Sequence, residues 1–201
     1  MFDAIAVAIE ADRDRLCQLD GVIGDADHGI AMALGFNAVR DALAPLDLSV
    51  TEPTALLNTT AKSFLNAVGA SSGPLYATAF MRAASAVKGK ATLVDADFIA
   101  LFQAMAQGIK DRGKAEPGEK TMVDAWQPAA EAAAAACAAG KPLAQSLEAA
   151  LAAAESGAEA TKDMIAAKGR SSRLGERSLG HMDPGAASAV TVIAAIRKSL
   201  G

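Results

Sequence analysis

Apolar residues recur at three- and four-residue steps along most of the chain, the spacing of one helix face. Eight such stretches alternate with polar or glycine-rich breaks. The first covers 2–18, with Phe2, Ile5, Ile9 and Leu16 on one stripe, and the second covers 28–43 with Met32, Phe36, Val39 and Leu43. The third opens at Pro53, a residue suited to a first helical turn, and carries Leu57, Phe64 and Leu65 to Val68. The fourth runs from Pro74 to Lys88; the fifth covers 93–112 with Phe98, Leu101, Phe102, Met105 and Ile109. The sixth, 121–139, stops at Gly140, which Pro142 follows. The seventh, 142–168, shows a narrow small-residue seam of Leu147, Leu151, Ala154, Ala158, Thr161 and Ile165. The eighth opens at Asp183-Pro184, an N-cap and first-turn pair, and holds Val190, Ile193 and Ile196. No stretch reads convincingly as a strand. The pattern predicts an all-α fold, an eight-helix antiparallel up-and-down bundle, with residues 1–201 forming one domain.

Composition strengthens the helical reading. Fifty of the 201 residues are Ala, the best helix former, and only 4 % are aromatic, which argues against a β-sandwich or barrel. An apolar content of 52 % with a net charge of −4 excludes a disordered chain. No apolar run reaches the ~18–20 residues that span a bilayer. The first residues, MFDAIAVAIEADRDR, lack the basic-then-apolar order of a signal peptide. Cys17 and Cys137 form neither a disulfide framework nor a metal pattern. The expectation is a cytoplasmic protein with reduced thiols, with no membrane partner and, given its acidic balance, no nucleic-acid partner.

The breaks differ in chemistry. Those at 44–52, 89–92 and 140–141 are short and ordinary. The others read LDGVIGDADHG (19–29), GASSGP (69–74), RGKAEPGEKT (112–121) and KGRSSRLGERSLGHMDPG (168–185). They follow the first, third, fifth and seventh helices. Alternate loops of an up-and-down bundle lie at the same end, so all four converge on one rim.

That rim carries charge of both signs. Asp20, Asp25 and Asp27 fall within eight positions, and carboxylates so close repel one another unless a cation joins them. All-oxygen ligands suit Mg²⁺ or Ca²⁺, and the spacing is not that of an EF-hand. Ser71, Ser72 and Gly73 precede Pro74, where free amides and the helix dipole favour an anion, and His28 and Gly29 open the second helix in the same way. Lys168, Arg170, Arg173 and Arg177 make the last loop basic, while Gly169, Gly175, Gly180 and Gly185 allow close backbone approach or a lid. A basic loop facing an acidic metal loop suits a metal–diphosphate ligand. The chain shows no nucleophile–base pair and no GxxxxGK[ST] loop; phosphoryl transfer, which relies on positioning and charge, needs neither. His181 stands as a candidate acid/base group or hydrogen-bonding partner.

Taken in order, LDGVIGDADHG, SSGPLY, RGKAEPGEKTMVDAW and GRSSRLGERSLGHMDPGA resemble the signatures of the nucleotide-binding L subunit of dihydroxyacetone kinases, over essentially the whole chain. The resemblance implies an eight-helix antiparallel barrel binding ADP or ATP at one end through two Mg²⁺ ions. It places the metal ligands on Asp20, Asp25 and Asp27. It places nucleotide contacts on His28, Gly29, Ile30 and Ala31, on Ser71 and Ser72, and on Gly113, Thr121 and Met122. Further contacts fall on Arg170, which takes the catalytic role, and on Asp183, Pro184 and Gly185. It also implies a partner, a separate K subunit that holds a short ketose through a histidine adduct, and a homodimeric assembly. In the family's phosphotransferase-system branch a multiphosphoryl protein recharges the bound nucleotide from phosphoenolpyruvate; in the other branch ATP exchanges as substrate. The separate chain and the GDADHG spelling look more like the first. Ala70, where a second Gly is common, and Arg173, where an aromatic residue often stands, depart from the pattern. The competing readings are an ATP-dependent kinase subunit for another triose or tetrose, a nucleotide-dependent regulator of a transcription factor, and a plain helical bundle with an acidic surface loop.

Overall fold

The apolar stripes fold as helices whose inner faces close on one another. The computed structural model describes residues 1–200. Eight α-helices run through them: α1 (Phe2–Ile23), α2 (His28–Leu43), α3 (Pro53–Ala67), α4 (Ser72–Ala86), α5 (Asp95–Gly113), α6 (Val123–Ala138), α7 (Leu143–Ala160) and α8 (Pro184–Leu200). Two short 3-10 segments, Thr161–Asp163 and Ser171–Ser178, lie between α7 and α8, and no strand occurs among the described residues. Each helix packs against the next, and α8 returns onto α1. The expected all-α up-and-down bundle is therefore a closed ring.

A ring of eight helices encloses more space than alanine can fill, and the few aromatic residues fill it. Trp126, Tyr76, Phe36 and Phe64 are fully buried. Their rings meet mostly edge-on or tilted, with centroids 5.1 Å apart for Phe36–Phe64, 5.8 Å for Phe36–Tyr76 and 6.3 Å for Tyr76–Trp126. Burial pushes the Tyr76 phenol up to about 12, so it stays neutral and accepts from Trp126 Nε1 at 3.4 Å.

Small residues do the opposite job between helices. Ala125, Ala129 and Ala133 on α6 and Ala150, Ala154 and Ala158 on α7 are buried. Pro128 inside α6 has no N–H to give the Asp124 carbonyl one turn back. The backbone of α7 approaches there: a Cβ on Gly157 would overlap that carbonyl oxygen and lie 3.2 Å from Pro128 Cγ.

The helix ends differ from the sequence pattern in two places that matter. α1 does not stop near residue 18 but continues to Ile23, because Leu16, Asp20 and Ile23 prolong its buried face. α7 ends at Ala160 rather than 168. Thr161 turns its hydroxyl back onto the Ala158 carbonyl at 2.6 Å, the backbone tightens into a 3-10 turn, and Ile165 lies exposed instead of extending the seam.

Gly157→Ala should destabilise the protein by ~1–3 kcal/mol, the range for forced overpacking, although Gly→Ala in an open helix position stabilises. Urea unfolding checks the sign, and a gain in stability would refute the close α6–α7 approach.

Candidate functional site

The loops after α1, α3, α5 and α7 meet over one mouth of the ring and line a cleft of about 470 Å³. That volume lies in the range of small-molecule sites. The four loops singled out by their chemistry are the four that topology brings together.

On one part of the wall stands the acidic cluster. Asp20 is buried in the last turns of α1, Asp25 is exposed and Asp27 half-buried, and one carboxylate oxygen from each lies within 4.8 Å of the others. Ala26 between the last two adopts φ +62°, a left-handed conformation unfavourable for a residue with a Cβ. Asp20 also works as a cap. Its Oδ2 accepts from the backbone N–H of Asp27 at 3.0 Å and of His28 at 3.2 Å, while the Asp27 side chain caps nothing. The Asp27 carboxylate is thereby left for the cluster. Across the cleft, the Arg170 guanidinium pairs with Asp25 and stands 3.6 Å from Asp27. An all-oxygen, triply anionic donor set with one exposed member fits a hard divalent cation.

Another part suits an anion. Ser71 occupies the N-cap of α4 and Ser72 its first turn. Ser72 Oγ is buried without a hydrogen-bond partner, although the residue lines the cleft. A desolvated hydroxyl left unpaired is costly, and at a helix N-terminus an anionic oxygen would satisfy it. Arg112, Lys168 and Arg170 add positive charge. Leu75, Ile109, Ala115, Met122 and Pro184 add an apolar surface suited to a planar base.

Asp183 caps α8, accepting from the Ala186 N–H at 2.8 Å. Desolvation pushes its carboxyl up to about 7, against the pull of that cap bond and of Lys120. The His28 ring lies 2.9 Å from Ser188 Oγ, joining α2 to α8; loss of solvent lowers its pKa, so it is neutral near pH 7. His181 is exposed, and it does not line the cleft.

Most of the site residues expected from sequence line this cleft: Asp20, Asp25, Asp27, His28, Ala31, Ser71, Ser72, Gly113, Thr121, Met122, Arg170, Asp183, Pro184 and Gly185. Gly29 and Ile30 do not. With α2 starting at His28, residues 28 and 31 share the face toward the cleft; Gly29 packs against the Arg13 carbonyl and Cys17, and the Ile30 side chain is 50 % exposed. They could contribute only backbone amides of the first turn. Sequence reasoning missed Leu75 and Ile109, which helical spacing from Ser71 and Gly113 could have indicated, and Ala115, which lies in the loop beyond α5. It also missed Lys120, a loop lysine that nothing in the sequence distinguishes from a solvated one.

A family model described as the DAK2 domain matches residues 22–198. The chain belongs to this family. The DAK2 chain is 42 % identical over 180 residues to the "PEP-dependent dihydroxyacetone kinase, ADP-binding subunit DhaL" of Escherichia coli, covering 88 % of this chain and 83 % of that one. It is 38 % identical to the "PEP-dependent dihydroxyacetone kinase 2, ADP-binding subunit DhaL" of Listeria innocua, over 96 % of this chain and 88 % of that one. The solved dihydroxyacetone kinase of C. freundii superposes with a TM-score of 0.77 in its native form and 0.74 in complex with AMP-PNP and Mg²⁺, at 26 % identity. The match covers 98 % of the DAK2 chain but only 33 % of that kinase.

Asp183 gives the metal-free DAK2 domain a pH signature. Unfolded, this carboxyl ionises near 4; folded, it holds its proton to about 7. The folded state therefore binds the extra proton, and stability contributed by Asp183 falls as pH rises from about 4 through 7. Asp183→Asn keeps a cap acceptor and removes the charge. In chelator-treated protein it should unfold at higher urea than the parent at pH 8, with the gap closing toward pH 4. A gap independent of pH would contradict the assignment.

Proposed function

We propose that this chain is the ADP- or ATP-binding subunit of a dihydroxyacetone-type kinase. It passes a phosphoryl group from the bound nucleotide to a short ketose held on a separate subunit. The observation that carries this is the meeting, in one cleft, of three clustered carboxylates with Arg170 and an unpaired hydroxyl at a helix N-terminus. The phosphoenolpyruvate-dependent branch, with recharging by a multiphosphoryl protein, is favoured by the identity to subunits of that description. The whole chain acts as one nucleotide-binding domain in this reading.

Asp20, Asp25 and Asp27 would hold Mg²⁺, two ions in this reading. Magnesium so held supplies charge neutralisation to the phosphate oxygens. Ser71, Ser72 and the first turn of α4 offer donors to phosphate. Leu75, Ile109 and Met122 offer apolar contact to the base. Arg170 brings a fixed positive charge that can lie on the phosphoryl oxygens as charge moves during transfer. Neither His28, neutral and engaged with Ser188, nor exposed His181 is placed as a base. The chain's own work is positioning and electrostatics, and deprotonation of the acceptor hydroxyl falls to the subunit holding the ketose.

Titration calorimetry should show ADP binding that depends on Mg²⁺, weakened roughly tenfold or more by Asp25→Asn, in line with loss of a metal ligand. Undiminished affinity in that variant would remove the metal assignment. With the ketose-holding subunit present, Arg170→Ala should lower turnover by ~10³-fold, as for other arginines that stabilise phosphoryl transfer, and leave ADP affinity nearly unchanged. A loss confined to affinity would instead make Arg170 a binding residue.

A further inference from the structure

The segment that carries Arg170 leaves the ring after α7 and returns to it before α8, and both of its feet rest on two adjacent residues of the α5–α6 loop. At the departing foot, Ala167 N–H donates to the Glu119 carbonyl at 3.1 Å, and Lys168 Nζ stands 3.6 Å from the Glu119 carboxylate. At the returning foot, Lys120 Nζ donates to the His181 carbonyl and, at 2.5 Å, to the Thr161 carbonyl where α7 ends. Thr161 Oγ1 in turn accepts from the Asp183 N–H at 2.9 Å. Between the feet, Gly169, Gly175 and Gly180 all have positive φ. At its far contact the segment reaches the acidic cluster, with Arg170 on Asp25.

Lys120 is not an ordinary loop lysine. It is 1 % exposed, and its own φ of +58° is left-handed. A side chain accepts that conformation only where its surroundings demand it. A buried ammonium needs acceptors and opposite charge; burial lowers the Lys120 pKa, and against that pull it has the two carbonyls and the nearby carboxyls of Asp183, Asp124 and Asp163. The residues that follow it, Thr121 and Met122, line the cleft. A ligand touching them and the loop standing over that ligand are thus fastened to the same short stretch of backbone.

We propose that Lys120 is a positioning residue: its ammonium clasps the returning foot of the loop and, together with Glu119 at the other foot, fixes where Arg170 stands over the carboxylates. The functional consequence rests on the reading of Arg170 given above, whereas the clasp belongs to the fold without ligand. A lysine that merely fills space would stabilise the domain without acting through Arg170.

Lys120→Met keeps the apolar stem and removes the donors. In nucleotide- and metal-free protein, trypsin should cut the loop at Arg170, Arg173 or Arg177 about tenfold faster than in the wild type, since cleavage follows the population of the open form. Lys120→Arg, which restores the donors, should recover most of the protection. In phosphoryl transfer with the partner subunit, Lys120→Met and Arg170→Ala should each slow turnover, and the double variant should be no slower than Arg170→Ala alone. Wild-type cleavage rates in Lys120→Met, or losses that multiply in the double variant, would overturn the clasp. Should Lys120→Met fail to fold, hydrogen exchange on the wild type decides: the amides of Ala167 and Gly180, which donate to Glu119 and Lys162, should be protected. Exchange at unstructured rates would overturn the proposal. Cleavage and exchange are read without nucleotide, so a failure to bind ADP and Mg²⁺ would count against the proposed function and not against the clasp.

Discussion

Three carboxylates within 4.8 Å of one another are held together against their own repulsion, and much of the molecule is arranged around that fact. A free chain would spread them apart. Here Asp20 is committed by two backbone donors at the start of α2, Ala26 accepts a left-handed conformation between Asp25 and Asp27, and Arg170 arrives from the other side of the cleft as counter-charge. Each device has its own cost, which the packed ring around it supports. Conformational cost concentrated at one rim is what a site prepared for a strongly bound cation and polyanion would show.

The ring explains why one mouth gathers all of this. In an up-and-down topology the loops after α1, α3, α5 and α7 share an end whatever their composition. The scaffold can therefore be monotonous, and it is: alanine rows and single glycines such as Gly157 set the spacing of neighbouring helices, and a handful of aromatic residues plug the interior. Loop chemistry varies on a frame that does not need to change with it. Asp124 shows the joint between the two. It lies in the first turn of α6, yet its carboxylate accepts from Gly118 N–H at 2.5 Å and Thr121 N–H at 2.7 Å, so the helix itself shapes the loop that faces the cleft.

Periodicity made the eight helices legible, and loop parity made the site's location legible, because both depend on patterns repeated over many residues. The acidic triplet and the paired serines were legible because their residue types admit few roles at that density. What escaped the sequence was local and conformational. Asp20 reads as a loop residue but belongs to α1, since the stripe of Leu16 and Ile23 continues past the point where glycines begin. Gly29 and Ile30 follow a cleft-facing His28 in sequence, yet a helical turn of 100° per residue carries their side chains away from it. The end of α7 depended on one hydroxyl, that of Thr161, choosing a carbonyl in its own helix. Lys120 was invisible because burial of a lysine depends on carbonyls from residues 41 and 61 positions away.

A site without nucleophile or base invites the view that it only binds. Phosphoryl transfer asks for neither, since it runs on positioning and charge. The cleft sets anionic and cationic groups against each other, the pairing a metal–diphosphate ligand asks for, and Arg170 sits on a loop rather than on the ring of helices. Arg170 rests on the same carboxylates that, in the proposed function, would hold a cation, so the two positive charges would compete for them. A loop held at its two feet by Glu119 and Lys120 keeps the range of positions open to that guanidinium narrow.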